Sequence, residues 1–240
     1  MTDLHTHILP GMDDGSKDTN MSLELLRAER DQGVQAVALT PHFYRDQETP
    51  DQYLKRRSRA VAELHRAIRA LPPQEQNSLP RMLLGAEVAW VPNMADWPEL
   101  PMLCYAGTRY LMVELPFHGW RNQIFQELYD LMGRTGLTPV IAHVDRYFEK
   151  KQEYLDQLYS MGLPMQISAE SLEERGTRKQ ALRLMEQGVA QLIISDCHRP
   201  NTRPVNLAPA MSIVRKKLKD QAEDLFSATD ALVRDAYFLN

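Results

Sequence analysis

Seven short runs of apolar and β-branched residues punctuate the chain, at residues 2–8, 34–40, 81–88, 110–115, 138–143, 163–168 and 190–195. Between them, apolar residues recur every three or four positions, the spacing that gives a helix one buried face. Met21, Leu25 and Ala28 mark such a face in a helix stopped near Gly33; Leu54, Val61, Leu64, Ile68 and Leu71 mark a second. Later faces carry Ile124, Leu128 and Leu131, then Leu155 and Leu158, then Leu182 and Met185, and residues 208–219 and 222–238 read as closing helices. Short strands alternating with amphipathic helices predict a parallel sheet wrapped by helices. Seven such units predict an α/β fold of the TIM type, a closed or nearly closed (β/α) barrel one strand short of eight. An open doubly wound sheet is the alternative, and no Gly-rich dinucleotide loop follows any strand to support it. The proline-rich connections at 72–80 and 90–101 read as surface loops, not linkers, so residues 1–240 are expected to form one domain.

Composition narrows the class. The 240 residues are 43% apolar and 25% charged, ordinary values for a globular chain. A formal net charge of −4 gives no electrostatic reason to expect a nucleic-acid partner. The longest apolar runs are about half the ~20 residues that span a bilayer, so direct membrane insertion is not expected. The first residues, MTDLHTHILPG, do not read as a secretory leader. Cys104 and Cys197 are too few for a disulfide framework, and the expected location is the reducing cytoplasm.

The chemistry lies in where histidines and carboxylates fall. His5 and His7 sit two apart on the first run and so share a face. His42 follows the second run, Glu87 and Glu114 end the third and fourth, His143 ends the fifth, and Asp196 and His198 follow the seventh, again two apart. Asp13 and Asp14 lie in the loop after the first run. In an α/β barrel these strand ends converge on one mouth. So many carboxylates and imidazoles at one mouth would repel or shift their ionisation strongly without cations between them. Imidazole and carboxylate with hardly any thiolate suit Mn, Fe or Zn, and the number of candidate ligands calls for two or three ions. Clustered ions activate water and clamp both oxygens of a displacement at phosphorus, and Arg146 and Arg203 stand where guanidinium groups would hold a phosphate. Cys197 and Arg203 also fit C-x5-R, the spacing of thiolate phosphatases. Pro200 removes a needed N–H donor there, and Cys197 alternates away from the metal face.

The ordered motifs HTH, TPH, GAE, VELP, AHVDRY and SDCH resemble the polymerase-and-histidinol-phosphatase (PHP) superfamily, and within it the bacterial manganese-dependent protein-tyrosine phosphatases encoded with capsule and exopolysaccharide genes. The resemblance implies a distorted seven-stranded barrel holding three metal ions. It implies one ion on His5, His7, Glu87 and Asp196, a second on Glu87, Glu114 and His143, and a third on His42, His198 and Asp14, with Asp13 the alternative to Asp14. It further implies a tyrosine-phosphatase activity on the phosphotyrosine-bearing tail of a partner tyrosine autokinase, regulating polysaccharide synthesis, and it hints at a homo-oligomer. A small-molecule phosphomonoesterase such as a histidinol phosphatase is the alternative. The loops PFHGW and CHRPNTR depart from the family pattern, and the aromatic loop from Phe117 to Trp120 is a candidate wall for the phosphotyrosine ring.

Overall fold

The computed structural model describes residues 1–239. Strand β1 (Thr2–Thr6) pairs in parallel with β2 (Ala36–Leu39), and β2 with β4 (Arg81–Leu84). A second parallel sheet runs through β3 (His42–Phe43), β5 (Glu87–Ala89), β6 (Tyr110–Glu114) and β7 (Thr138–Ile141). A third joins β8 (Gln166–Ser168) to β9 (Leu192–Ile194). Isolated hydrogen bonds lie between these sheets: Ile141 N–H donates to Pro164 O at 2.9 Å, Asp196 N–H to His5 O at 3.0 Å, and His7 N–H to Cys197 O at 2.9 Å. The result is an α/β fold of short parallel strands in three ladders, where the sequence suggested one longer strand per unit.

The strand expected at 81–88 is broken, and the one expected at 34–40 resumes beyond its end after a break at the same level. Leu39 pairs with Leu84 and His42 with Glu87, with two residues skipped on each side. Pro41 has no N–H to offer the ladder. Gly85 passes so close to its neighbours that a Cβ there would lie 2.9 Å from Thr40 Cγ2 and 3.0 Å from Tyr105. The expected run 81–88 therefore becomes β4 and β5, and Glu87 opens a second segment instead of ending the first.

The helices follow their apolar faces. Helix α1 (Thr19–Asp31) is capped by Asp18, whose carboxylate accepts from Met21 N–H, and buries Leu23, Leu25 and Leu26. Helix α2 (Pro50–Arg69) opens with a capping box of Thr49 and Gln52 and with Pro50 in its first turn. A short α3 (Pro73–Gln76) interrupts the connection read as a plain loop. Then follow α4 (Asn122–Thr135), α5 (Gln152–Ser160), α6 (Ala169–Glu173), α7 (Arg178–Glu186), α8 (Leu207–Leu218) and α9 (Asp220–Leu232). Helix α9 stops well short of residue 238. The chain instead returns as β10 (Phe238–Leu239), antiparallel to β4, where the Arg81 guanidinium lies 4.2 Å from the Phe238 ring centre. The strands β1, β2, β6 and β7 are buried almost throughout: Val37, Leu39, Leu111, Val113 and Ile141 share one apolar cluster with the helix faces, whereas Leu4, Ala38, Met112 and Val140 pack with Leu83 and Ile194 in a second. No helix among the described residues is long and apolar enough to cross a membrane.

Candidate metal centre

Strand ends, the residues shortly beyond them and the loop after β1 deliver nine candidate ligands to one place. His5 and His7 are fully buried. His42 and Glu87 face each other across the β3–β5 pair, just beyond the double break. Glu114 is the last residue of β6. His143 and Asp196 each lie two residues past a strand and carry positive φ, +27° and +53°. Such backbone is unfavourable for residues with a Cβ and concentrates at functional sites; here it turns both side chains into the cluster.

The donor atoms are packed at a telling distance. His5 Nε2 lies 3.1 Å from His7 Nε2, 3.1 Å from Glu87 Oε2 and 3.5 Å from Asp196 Oδ1. His7 Nε2 lies 3.3 Å from Glu87 Oε2 and 3.4 Å from Asp196 Oδ1. Next to this group, His143 Nε2 is 2.8 Å from Glu87 Oε1 and 3.4 Å from Glu114 Oε1. On the outer side, Asp14 Oδ1 is 3.6 Å from His42 Nε2 and 3.4 Å from His198 Nε2. Ligands about 2.0–2.2 Å from one ion stand about 3.0–3.4 Å from each other in tetrahedral or octahedral geometry. The residues of each of the three sets that the resemblance implies thus lie close together. In addition, His42 Nδ1 reaches Glu87 Oε2 at 2.8 Å and links the outer set to the inner ones.

Hydrogen bonding behind the ligands decides where their lone pairs point. Tyr105 O–H donates to Leu4 O at 2.9 Å and accepts from Gln166 Nε2–H at 3.2 Å. The Gln166 carbonyl, Oε1, therefore faces His5 Nδ1 at 2.9 Å and must accept its proton. Asp13 Oδ2 takes the Nδ1 proton of His7 at 2.7 Å in the same way. Both rings are left with Nε2 lone pairs aimed at each other across 3.1 Å, which requires a positive centre between them, a proton or a cation. Glu87 Oε2 and His42 Nδ1, though 2.8 Å apart, are not in hydrogen-bond geometry, and with His143 Nδ1 they are buried without a hydrogen bond. The residues present fit a cluster of divalent cations.

Charge tells the same story. Burial opposes ionisation of Glu87 and Asp196, yet the surrounding imidazoles, His5 first, hold both well below the ordinary carboxylate range. Burial likewise opposes charge on His143, but Glu114 and Glu87 push its pKa up to about 9. His7 is raised by Asp13 against the same burial, and His42 by Glu87. His198 is driven down to about 3, by burial and by the nearby His7. Protons on His7, His42 and His143 thus sit where cations would neutralise the carboxylates.

The two aspartates of the loop divide the work. Asp13 is turned inward, accepting from His7 Nδ1, from Gly15 N–H at 2.9 Å and from His42 N–H at 2.9 Å. It orients ligands from behind, while the exposed Asp14 carboxylate faces the outer imidazoles. Arg146 Nη2 donates to Asp196 Oδ2 at 2.5 Å, and Arg203 Nη2 donates to the same oxygen. Both side chains remain about a third exposed, 30% and 32%, so they are tied to the centre yet open to the mouth. Cys197 is fully buried on the far side, its Sγ 3.6 Å from Glu29 Oε1, and burial beside Glu29 and Asp3 pushes the thiol pKa well up. That setting favours the neutral thiol over a thiolate nucleophile.

Gln166, Tyr105 and the orienting role of Asp13 escaped the sequence reading. A lone glutamine inside an apolar run was the available signal for Gln166; Tyr105 gave none. Tyr44, also missed, stacks on His42 with ring centres 5.2 Å apart. Of the aromatic loop, Phe117 is 44% exposed, whereas Trp120 is buried against Tyr147 and donates to Pro116 O. His118 is exposed, and His65 is half-buried in α2, away from the cluster.

Comparison with known proteins agrees with this geometry. The family model for capsular polysaccharide synthesis, CpsB/CapC, matches residues 1–233. Tyrosine-protein phosphatase YwqE of Bacillus subtilis (strain 168) is 31% identical over 231 residues, 90% of this chain and 85% of that protein. Tyrosine-protein phosphatase CpsB of Streptococcus pneumoniae is 28% identical over 241 residues, covering 94% and 95%. Crystal structures of these two, described as unique metal-dependent tyrosine phosphatases, include a chain that superposes with a TM-score of 0.80 at 25% identity, covering all of this chain and 96% of that one. The chain belongs to the capsular polysaccharide synthesis CpsB/CapC family.

Proposed function

We propose that this protein is a cytoplasmic, manganese-dependent protein-tyrosine phosphatase that removes phosphate from the phosphotyrosine-bearing tail of a bacterial tyrosine autokinase and so regulates capsule or exopolysaccharide synthesis. The observation that carries the reading is the convergence of imidazole and carboxylate donors at single-ion spacing, with the tautomers of His5 and His7 set from behind so that their lone pairs face inward. Hydrogen bonds from Ile141 to Pro164 and from His7 to Cys197 support reading the three ladders as one distorted seven-stranded (β/α) barrel and one domain.

His5, His7, Glu87 and Asp196 would hold one ion, Glu87, Glu114 and His143 a second, and His42, His198 and Asp14 a third. Mn²⁺ suits this donor set, as would Fe or Zn. When bound, such ions act as Lewis acids and bring the pKa of a water from 15.7 toward about 7. Arg146 and Arg203, both held by Asp196, present guanidinium groups to the phosphoryl oxygens and stabilise charge that spreads over them during in-line displacement. Asp13 and Gln166 fix the imidazoles behind the site, so no reorientation is needed as charge develops. The phenolate leaving group, with a parent pKa of about 10, departs more readily than an alkoxide, so a strong general acid is not required. Phe117, exposed at the mouth beside Tyr147, is placed to flank the aromatic ring of the substrate.

The test is hydrolysis of a phosphotyrosyl peptide by chelator-stripped protein with and without Mn²⁺. Activity appears only with metal if the reading is right. Inactivity with Mn²⁺, Fe²⁺ and Zn²⁺ alike, or faster turnover of alkyl phosphates, overturns it.

A further inference from the structure

Asp14, the outermost of the proposed ligands, has a carboxylate that is 65% exposed. Its position is therefore set by its backbone, in the loop formed by residues 12–16. The inner end of that loop is pinned by direct packing. Ser16 N–H donates to His7 O at 3.0 Å, and a Cβ at Gly15 would lie 2.3 Å from the same oxygen. The outer end is held by two side chains from elsewhere in the fold. Arg56, on α2, donates through Nη1 to Met12 O and is itself braced by Glu48. Arg199, in the turn after β9, donates through Nε to Asp14 O at 2.9 Å. That turn is a tight hairpin in which Arg199 N–H and Arg203 O, and Arg203 N–H and Arg199 O, pair at 3.2 Å.

We infer that Arg56 and Arg199 are positioning residues that clasp the carbonyls on either side of Asp13 and so fix Asp14 as a ligand for the outermost cation, an inference that rests on the metal-centre reading above. Charge-assisted donors suit this work, because a guanidinium bond to a carbonyl is stronger than a neutral one. The hairpin gives the clasp a second consequence. It joins Arg199, which holds the loop, to Arg203, which faces the substrate, so the seating of the outer ion and the placement of a phosphate-binding arginine are mechanically linked.

The experiment is Mn²⁺ titration of chelator-stripped protein, counting bound ions and their affinities by electron paramagnetic resonance, for wild type, Arg199→Ala, Arg199→Lys and Asp14→Ala. Arg199→Ala is expected to loosen only the most weakly held ion, by about ten- to a hundredfold, the usual loss when a group behind a ligand is removed. Asp14→Ala should remove that ion, and adding Arg199→Ala to it should change nothing more. Arg199→Lys should restore most of the affinity, since its ammonium can reach the same carbonyl. Unchanged binding in Arg199→Ala overturns the clasp, as does equal loosening of every ion or failure of the lysine to rescue. Wild type that binds no Mn²⁺ overturns the metal-centre reading itself, and the clasp with it.

Discussion

Replacing Gln166 by leucine tests the relay that sets the His5 tautomer. Gln166 is fully buried, and its amide accepts from His5 Nδ1 at 2.9 Å and donates to Tyr105 at 3.2 Å. Leucine is close in volume but offers no acceptor. The Nδ1–H would then stand unpaired in a dry environment, at a cost of about 1–3 kcal/mol. The imidazole escapes that cost by moving its proton to Nε2, which aims an N–H at His7, Glu87 and Asp196 and blocks a ligand position. Returning the ring to the binding tautomer then costs the same amount, equivalent to roughly 5- to 150-fold in affinity. This range agrees with the ten- to hundredfold typical for groups behind a metal ligand. Isothermal titration of stripped protein with Mn²⁺ reads the effect directly, with Gln166→Glu as the comparison, since a carboxylate still accepts from Nδ1. Binding of Mn²⁺ by Gln166→Leu within twofold of wild type would refute the relay, as would equal losses in both variants.

Three further outcomes follow from the same geometry. Cys197→Ser should leave metal-dependent turnover within about twofold of wild type, because Sγ is buried against Glu29 and not at the mouth; loss of activity with the fold intact would reinstate the thiolate mechanism. In stripped protein, His143 has its pKa raised to about 9, so its contribution to stability is fully present below the unfolded value near 6.5 and is lost as pH rises through 9; melting temperatures that stay flat or rise over that window count against it. Mn²⁺ at about a hundred times its dissociation constant should add about 2.7 kcal/mol to stability, or roughly 5–11 °C in melting temperature for a chain of this size, and calorimetry showing no shift would mean that the folded state does not bind the ion.

How much of this was legible depends on whether the signal was local. The two-residue period of a strand put His5 and His7 on one face, and the residues ending each apolar run could be listed without knowing how the strands paired. Asp196 and His198 looked like the same alternation, yet Asp196 adopts φ +53° and leaves the strand pattern altogether. They still reach the cluster, by a different route from the one their spacing suggested. The sequence favours Asp14 with Asp13 as the alternative; the three N–H groups converging on Asp13 distinguish the orienting carboxylate from the outward one. Gln166 is 161 residues from the histidine it controls. No periodicity reports a partner at that distance, and the same holds for Arg199 and the loop it grips. The closing strand β10 was lost because residues 222–238 carry a helical pattern far enough that nothing local marks where α9 stops.

The double break in the strands explains why helix α2 carries polar groups on a face that otherwise reads as a plain apolar stripe. Interrupting β2–β3 and β4–β5 at one level frees backbone groups in the middle of the fold, and buried groups of that kind must find partners. Pro41 O accepts from Glu87 N–H at 3.1 Å and from the fully buried Tyr53 hydroxyl at 2.8 Å. Gly85 O accepts from Arg57 Nη1 at 2.7 Å, and Met102 O from Arg57 Nη2 at 2.8 Å. Arg57 is buried with no carboxylate in its ion-pairing range among the described residues, and its guanidinium lies 5.6 Å from the Tyr53 ring centre instead. A buried cation is costly unless its donors are used, and here they go to Gly85 O, which the break frees, and to Met102 O in the turn Leu100–Met102. Tyr53 and Arg57, one helical turn apart on α2, therefore brace the kink that sets His42 opposite Glu87, and Glu87, the candidate ligand shared by the two inner sets, owes its position to a helix that contributes no residue to the cluster.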